Sequence, residues 1–207
     1  MGLAIIGLTL LIRLILYPLF YKSIKNQTIL QKLQPHIQKI QLDHKDNKEK
    51  QAQALMQLYK DHQVNPFSGI FLLILQLPIL IALYQVFLYG FKDESLTGLY
   101  SFITSPTHIN PSFLGLIDLA KSSIIVVSLA AVLQYLQAKL SLPKDESGKE
   151  VAGAKLAKQM SFIGPALTFA ILYSMPAAVG LYWMTTSVFS IFQQMYVNKI
   201  LKKQGIK

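Results

Sequence analysis

Residues Gly2–Tyr21 read GLAIIGLTLLIRLILYPLFY, an apolar stretch with an arginine at its middle. About 20 residues at about 1.5 Å rise make about 30 Å of helix, the thickness of a bilayer's hydrocarbon core. Arg13 falls near the centre of that span, where insertion scales put a cation at about 2.5–3.5 kcal/mol unfavourable. Helical turns on either side of Arg13 reach Thr9 and Tyr17, so the arginine belongs to a polar stripe. Such a stripe is expected to face protein or water, not lipid. The role of Arg13 then turns on what it pairs with.

The rest of the chain repeats the apolar pattern. Of 207 residues, 52% are hydrophobic, yet the formal charge is +10. The apolar residues come in long blocks, not in the amphipathic spread of a soluble domain. The predicted fold is all-α: one membrane domain over residues 1–207, with spans at about 2–21, 67–91, 113–140, 159–175 and 177–198. The last two are joined by a tight turn near Pro176. Seventeen of the nineteen lysines fall between the first and second spans, between the third and fourth, or after the fifth; Lys92 and Lys121 fall on the other side. The positive-inside rule then predicts an outer N-terminus and a cytoplasmic C-terminus. Because the lysines track topology so closely, they argue against nucleic-acid binding. The first span has neither a charged leader nor a small-residue cleavage site, so it is not a removable signal peptide. It starts almost at residue 1, and an upstream signal or outer domain is expected before it.

Between the first two spans, Leu30, Leu33, Ile37 and Ile40 recur at amphipathic-helix spacing. After the polar turn Asp43-His44-Lys45-Asp46-Asn47, a second seam continues through Ala52, Leu55, Leu58 or Tyr59, and His62. This predicts a cytoplasmic antiparallel helical hairpin over about 24–63, with Pro35 bending or starting its first helix. Asn65-Pro66 is expected to cap and open the second span. Asp118 and Lys121 are spaced to pair locally near the outer end of the third. Residues 141–158 are predicted to be a flexible cytoplasmic loop, and Gly164-Pro165 is expected to interrupt the fourth span.

The acidic residues lie outside the spans, apart from Asp118 near an end, so no carboxylate matches the depth of Arg13. An unpaired buried arginine is very costly, so this one must meet carbonyls, amides and hydroxyls, water, or a partner's carboxylate. One reading is a structural arginine within a helix bundle. The other is a hydrated groove lined by the polar stripes of three spans: Thr9, Arg13 and Tyr17; Gln134 and Gln137; Tyr182, Trp183 and Thr186. Proton-coupled transport is disfavoured without an intramembrane carboxylate or histidine. No cysteine occurs, the histidines lack zinc-site spacing, and no phosphate loop or nucleophile–base pair stands out. The sequence therefore predicts no enzyme, no catalytic residue, no metal and no cofactor.

With these residues in view, the chain resembles the YidC family of membrane protein insertases. The resemblance runs in order along nearly the whole chain: Thr9-Leu-Leu-Ile-Arg13 with Tyr17-Pro18-Leu19, Leu33-Gln34-Pro35, Lys39-Ile40-Gln41, and Asn65-Pro66-x-x-Gly69. It continues through Gln76-x-Pro78-Ile79, Leu83-Tyr84, Gln134-Tyr135-x-Gln137 and Gly180-Leu181-Tyr182-Trp183. Two departures stand out: Leu72 where the family often has proline, and Thr185-Thr186-Ser187 in a region where it often has asparagine. The resemblance implies a multi-pass protein of the bacterial plasma (inner) membrane. It implies a five-helix core around a hydrophilic groove that opens to the cytoplasm and to lipid and is closed outside. In that groove Arg13 would be the central cation, with Thr9, Gln134 and Trp183 lining it. Implied partners are nascent membrane proteins, the lipid bilayer, the Sec translocon and the ribosome, with chaperone-like help in folding. Two readings from other classes stay open: a small-solute or anion transporter using Arg13 as its binding cation, and a structural subunit whose neighbour supplies the acid.

Overall fold

A computed structural model describes residues 1–89, 110–142 and 154–203. The expected outer connection, Lys92 and most of the 141–158 loop lie outside these residues. The described chain is mostly helical: α1 Gly2–Ile15, α2 Tyr17–Lys32, α3 Gln34–Asp43, α4 Lys48–Asp61, α5 Ser68–Tyr89, α6 Ile124–Ser141, α7 Ala154–Tyr173 and α8 Ala177–Lys203. A two-stranded antiparallel ladder, β1 Ser112–Phe113 with β2 Ile117–Asp118, precedes α6.

The opening stretch is not one straight helix. It breaks at Leu16, and α2 leaves at 72° to α1. Pro18 sits in the first turn of α2; in a continuous helix it would offer no N–H to the preceding turn and its ring would crowd the carbonyl of Leu14. The expected 20-residue span is thereby divided, and α1 alone has 14 residues. The third predicted span also starts later than expected. Phe113 to Ser123 are apolar enough to pass for helix, but Pro111 precedes them, and Leu114 and Gly115 both take positive φ (54° and 72°). Left-handed residues reverse the chain into a hairpin, which helix periodicity does not reveal. Asp118 and Lys121 do pair, at 3.3 Å on the surface. Gly164-Pro165 does not interrupt the fourth helix; Pro165 is carried inside α7. Pro176 separates α7 from α8 as expected.

Among the described residues, two helices are long and apolar enough to cross a membrane, Ser68–Phe87 and Ile124–Ser141, or three if the bent pair α1–α2 is one span. The apolar part of α7, Phe162–Tyr173, is shorter. The 27-residue α8 carries Thr186, Ser187, Ser190, Gln193 and Gln194, which lower its hydropathy although its length is ample.

Helix α8 is the hub, packing on α6 and α1. Its first turns, Ala177 to Tyr182, are wholly buried against Ile5 of α1, Leu83 and Phe87 of α5, Val126 and Ala130 of α6, and Leu172 of α7. Gly180 lets α6 approach, since a Cβ there would lie 2.6 Å from Val126 Cγ1. Gly180→Ala is expected to destabilise the protein by about 1–3 kcal/mol, because β-branched Val126 has little rotamer freedom to yield. The melting temperature in detergent should fall by several degrees, at about 2–4 °C per kcal/mol, and Val126→Ala in the same chain should restore most of it.

The N-terminal end of α8 is held by main chain. Ala177 N–H donates to the Lys121 carbonyl at 2.8 Å and Ala178 N–H to that of Leu119 at 3.1 Å, satisfying donors that a helix start leaves free. The ring of Phe113 lies where a side chain at Gly2 would project.

The other end has its own small core. Ile24, Ile29, Leu33 and Ile37 pack with Val197 and Leu201 of α8, and Leu30, Leu55, Leu58 and Tyr59 flank them. Pro35 lies in the first turn of α3 and so starts a helix without bending one. Asn47 caps α4 by accepting the Lys50 N–H at 3.0 Å, and Gln51 of α4 donates to the Gln41 carbonyl across the turn. Asn65 accepts the Phe67 N–H at 2.8 Å, so residues 65–67 form a turn and α5 begins at Ser68.

Candidate functional site

Arg13 ends in an open cavity of about 600 Å³ lined by α1, α2, α5, α6 and α8. Among the described residues, six glutamines line it: Gln27 and Gln31 from α2, Gln76 from α5, Gln134 and Gln137 from α6, and Gln194 from α8. Trp183, Thr186, Ser187 and Ser190 complete the α8 wall, and among the described residues no carboxylate contributes. Amides and hydroxyls can hydrogen-bond water or a polypeptide backbone, but they cannot neutralise a cation.

The backbone break sets the environment of Arg13. It places Arg13 in the last turn of α1, where the free carbonyls and the helix dipole favour a cation by about 0.3–1 kcal/mol. It also swings Phe20 of α2 under the guanidinium, 4.0 Å from charge centre to ring centroid. That contact is worth about 2 kcal/mol where water is excluded. Arg13 is 6% exposed, and among the described residues it has no carboxylate partner. Its charge is thus softened from below and left open toward the cavity.

Of the residues singled out from the sequence, Arg13, Gln134, Gln137, Trp183 and Thr186 come together around this cavity. Trp183 Nε1–H donates to Gln134 Oε1 at 3.1 Å, joining α8 to α6 across it. Three others do not line it. Thr9 is buried one turn before Arg13, and its hydroxyl donates back to the Ile5 carbonyl at 2.6 Å. Tyr182 lies in the apolar core, its hydroxyl accepting from the Gln76 amide. Tyr17 falls beyond the break and stacks on Tyr21, with ring centroids 6.1 Å apart. The sequence reading missed Phe20, Gln27, Gln31 and Gln76. Glutamines 27 and 31 are one helical turn apart, but only the bend reveals that their face closes the cavity.

Toward the C-terminal half of α8 a chain of side chains ties three helices. Ser141 Oγ donates to Gln194 Oε1 at 3.1 Å, and Gln194 Nε2 donates to Thr28 Oγ1 at 2.9 Å and to Asn198 Oδ1 at 3.0 Å. Asn198 donates in turn to the Leu140 carbonyl at 3.1 Å. The Gln31 Oε1, by contrast, is buried without a partner among the described residues. Interhelical hydrogen bonds of this kind average about 0.6 kcal/mol in membranes. Trp183→Phe, which deletes the bond to Gln134 and keeps an aromatic ring, is therefore expected to lower the melting temperature by only a degree or two. A drop of many degrees would show that the indole does more than bridge.

Compared with known proteins, residues 1–204 match the family described as 60Kd inner membrane protein. The chain is 35% identical over 204 residues to the membrane protein insertase YidC of Clostridium tetani (strain Massachusetts / E88), covering 99% of this chain and 84% of that one. To the membrane protein insertase YidC of Oceanobacillus iheyensis it is 32% identical over 203 residues, covering 96% and 74%. It is also similar to a crystal structure of an active YidC insertase with its first transmembrane domain resolved. That match has a TM-score of 0.61 and 29% identity, over 92% of this chain and 40% of the other.

Proposed function

Since this chain belongs to the 60Kd inner membrane protein family, represented among its relatives by YidC insertases, we infer that it is a multi-pass protein of the bacterial inner membrane that inserts other proteins there. The five crossings of this reading are the bent first segment and α5, α6, α7 and α8. At about 1.5 Å per residue the 27 residues of α8 reach about 40 Å, ample for a span whose polar stripe turns inward. The lysine distribution puts the N-terminus outside, with the C-terminus and the α3–α4 hairpin in the cytoplasm.

One observation carries the mechanism: a buried arginine without a carboxylate partner among the described residues opens into a cavity that they wall with neutral amides and hydroxyls. A short hydrophilic segment of an incoming chain, above all an acidic one, finds there a cation and hydrogen-bonding partners inside the membrane's thickness. The distance that it must cross in hydrocarbon is shortened, while the apolar helix behind it moves along α6 and α8 into lipid. Burial of that helix drives the process, and the membrane potential adds about 2.3 kcal/mol per elementary charge per 100 mV. No nucleotide or other cofactor enters the scheme. Its clients are nascent membrane proteins, and the resemblance adds chaperone-like folding help and association with the Sec translocon and ribosomes.

The test is insertion of a small single-span substrate with an acidic outer tail into proteoliposomes, read by protease protection of the tail. Insertion by the parent that weakens with Arg13→Ala supports the scheme. Equal insertion by both makes Arg13 structural, and no insertion by the parent favours a transporter or subunit.

A further inference from the structure

A second cavity, about 950 Å³ and distinct from the one at Arg13, lies between α2, α4 and the start of α5. Its size falls within the range of about 300–1,000 Å³ typical of small-ligand pockets. Leu19, Met56, Phe67 and Phe71 make much of its apolar wall, and its polar part holds the cations Lys22 and Lys60 beside the neutral Asn26, Gln63 and Asn65. The wall is unusually bare: Phe67 is 67% exposed, and Met56 and Phe71 are exposed as well. It also continues directly into the exposed face of α5, through Ile70, Ile74 and Ile81. Among the described residues, no acidic side chain lines the cavity, and neither Lys22 nor Lys60 forms an ion pair.

Two cations beside an apolar wall that runs into a lipid-facing helix match one kind of occupant. We propose that this cavity seats one anionic phospholipid, its phosphate between Lys22 and Lys60 and an acyl chain along Phe67 and Phe71 onto α5. The proposal rests on α5 crossing the membrane with the hairpin on the cytoplasmic face, as in the function proposed above, but not on how Arg13 handles substrate. An acidic peptide would satisfy the lysines but not an apolar wall continuous with the bilayer. Seated there, the lipid would fill the wedge between the hairpin and α5. Ser23 Oγ spans the same junction by donating to the Ser68 carbonyl at 2.8 Å.

Native mass spectrometry of the full chain in detergent, titrated with phosphatidylglycerol or phosphatidylcholine of the same chain length, tests this. The parent is expected to take up one tightly held phosphatidylglycerol in preference to phosphatidylcholine. Lys22→Gln with Lys60→Gln should cut that preference about 30-fold, taking about 1 kcal/mol per lysine near a membrane surface. Lys39→Gln with Lys45→Gln, which removes the same charge from exposed hairpin positions outside the cavity, should leave it unchanged. Equal uptake of the two lipids by the parent overturns the proposal. So does equal loss in both double variants, which would reduce the effect to net charge. Displacement by inorganic phosphate as readily as by the lipid also overturns it, since the apolar wall would then contribute nothing. Each readout is independent of insertion activity, so failure here is separable from failure of the insertase mechanism.

Discussion

Arg13→Glu is expected to lose most insertion of substrates with acidic outer tails, by at least a hundredfold, while Arg13→Lys keeps part of it. At about 6 Å and an effective dielectric of about 20, one cation attracts one carboxylate by about 3 kcal/mol. Reversing the sign turns that attraction into a repulsion of similar size, enough for the predicted loss. Lysine keeps the charge but not the planar face that rests on Phe20, and it presents fewer donors to the cavity. Protease protection in proteoliposomes, run with acidic and neutral tails side by side, separates charge from folding. A neutral tail should be far less affected by the glutamate. Should the glutamate variant insert acidic tails as well as the parent, the arginine has no part in receiving them.

The second large effect is expected at the opposite end of the molecule. Leu201 is 0% exposed, inside the small cluster that joins α8 to α2 and α3. Truncating a buried leucine to alanine costs about 2–5 kcal/mol. Because this cluster is separate from the larger core around Tyr182, the cost of Leu201→Ala should fall on local opening, not on the whole fold. Backbone amides of α3 and the first turns of α4 should then exchange with solvent at least about 30-fold faster, while those of α6 keep the parental rate. Uniform acceleration across α6 and α8 would mean that the two cores unfold as one.

Much of this architecture is legible in the residues because it depends on local chemistry. Pro176 parts two helices, Pro35 starts one, and Asp118 reaches Lys121, all within a turn or so of chain. Arg13, Gln134 and Trp183 stand out because a polar side chain in an apolar run needs a partner. The misses share a different cause. Periodicity says which side chains share a face, but not which helix that face meets. Thr9 satisfies its own hydroxyl on its own helix, and Tyr182 is taken by Gln76, two outcomes with the same helical spacing as cavity lining. The 72° break could be suspected from Pro18, but its direction, which brings Phe20, Gln27 and Gln31 to the cavity, is a tertiary result. Leu114 at positive φ carries no signal, because nothing in a leucine announces a left-handed turn.

The two bonds from the start of α8 to the carbonyls of Lys121 and Leu119 are made wholly by the backbone. Their donors and acceptors exist whatever side chains occupy these positions, so related chains can diverge there without losing the clasp. Selection at Ala177, Ala178 and Leu119 then acts through the volume of the buried side chains, not through their polarity. Proline is the exception: at 177 or 178 it removes a donor, and it alone among the natural residues would unfasten that end of the helix by chemistry instead of by size.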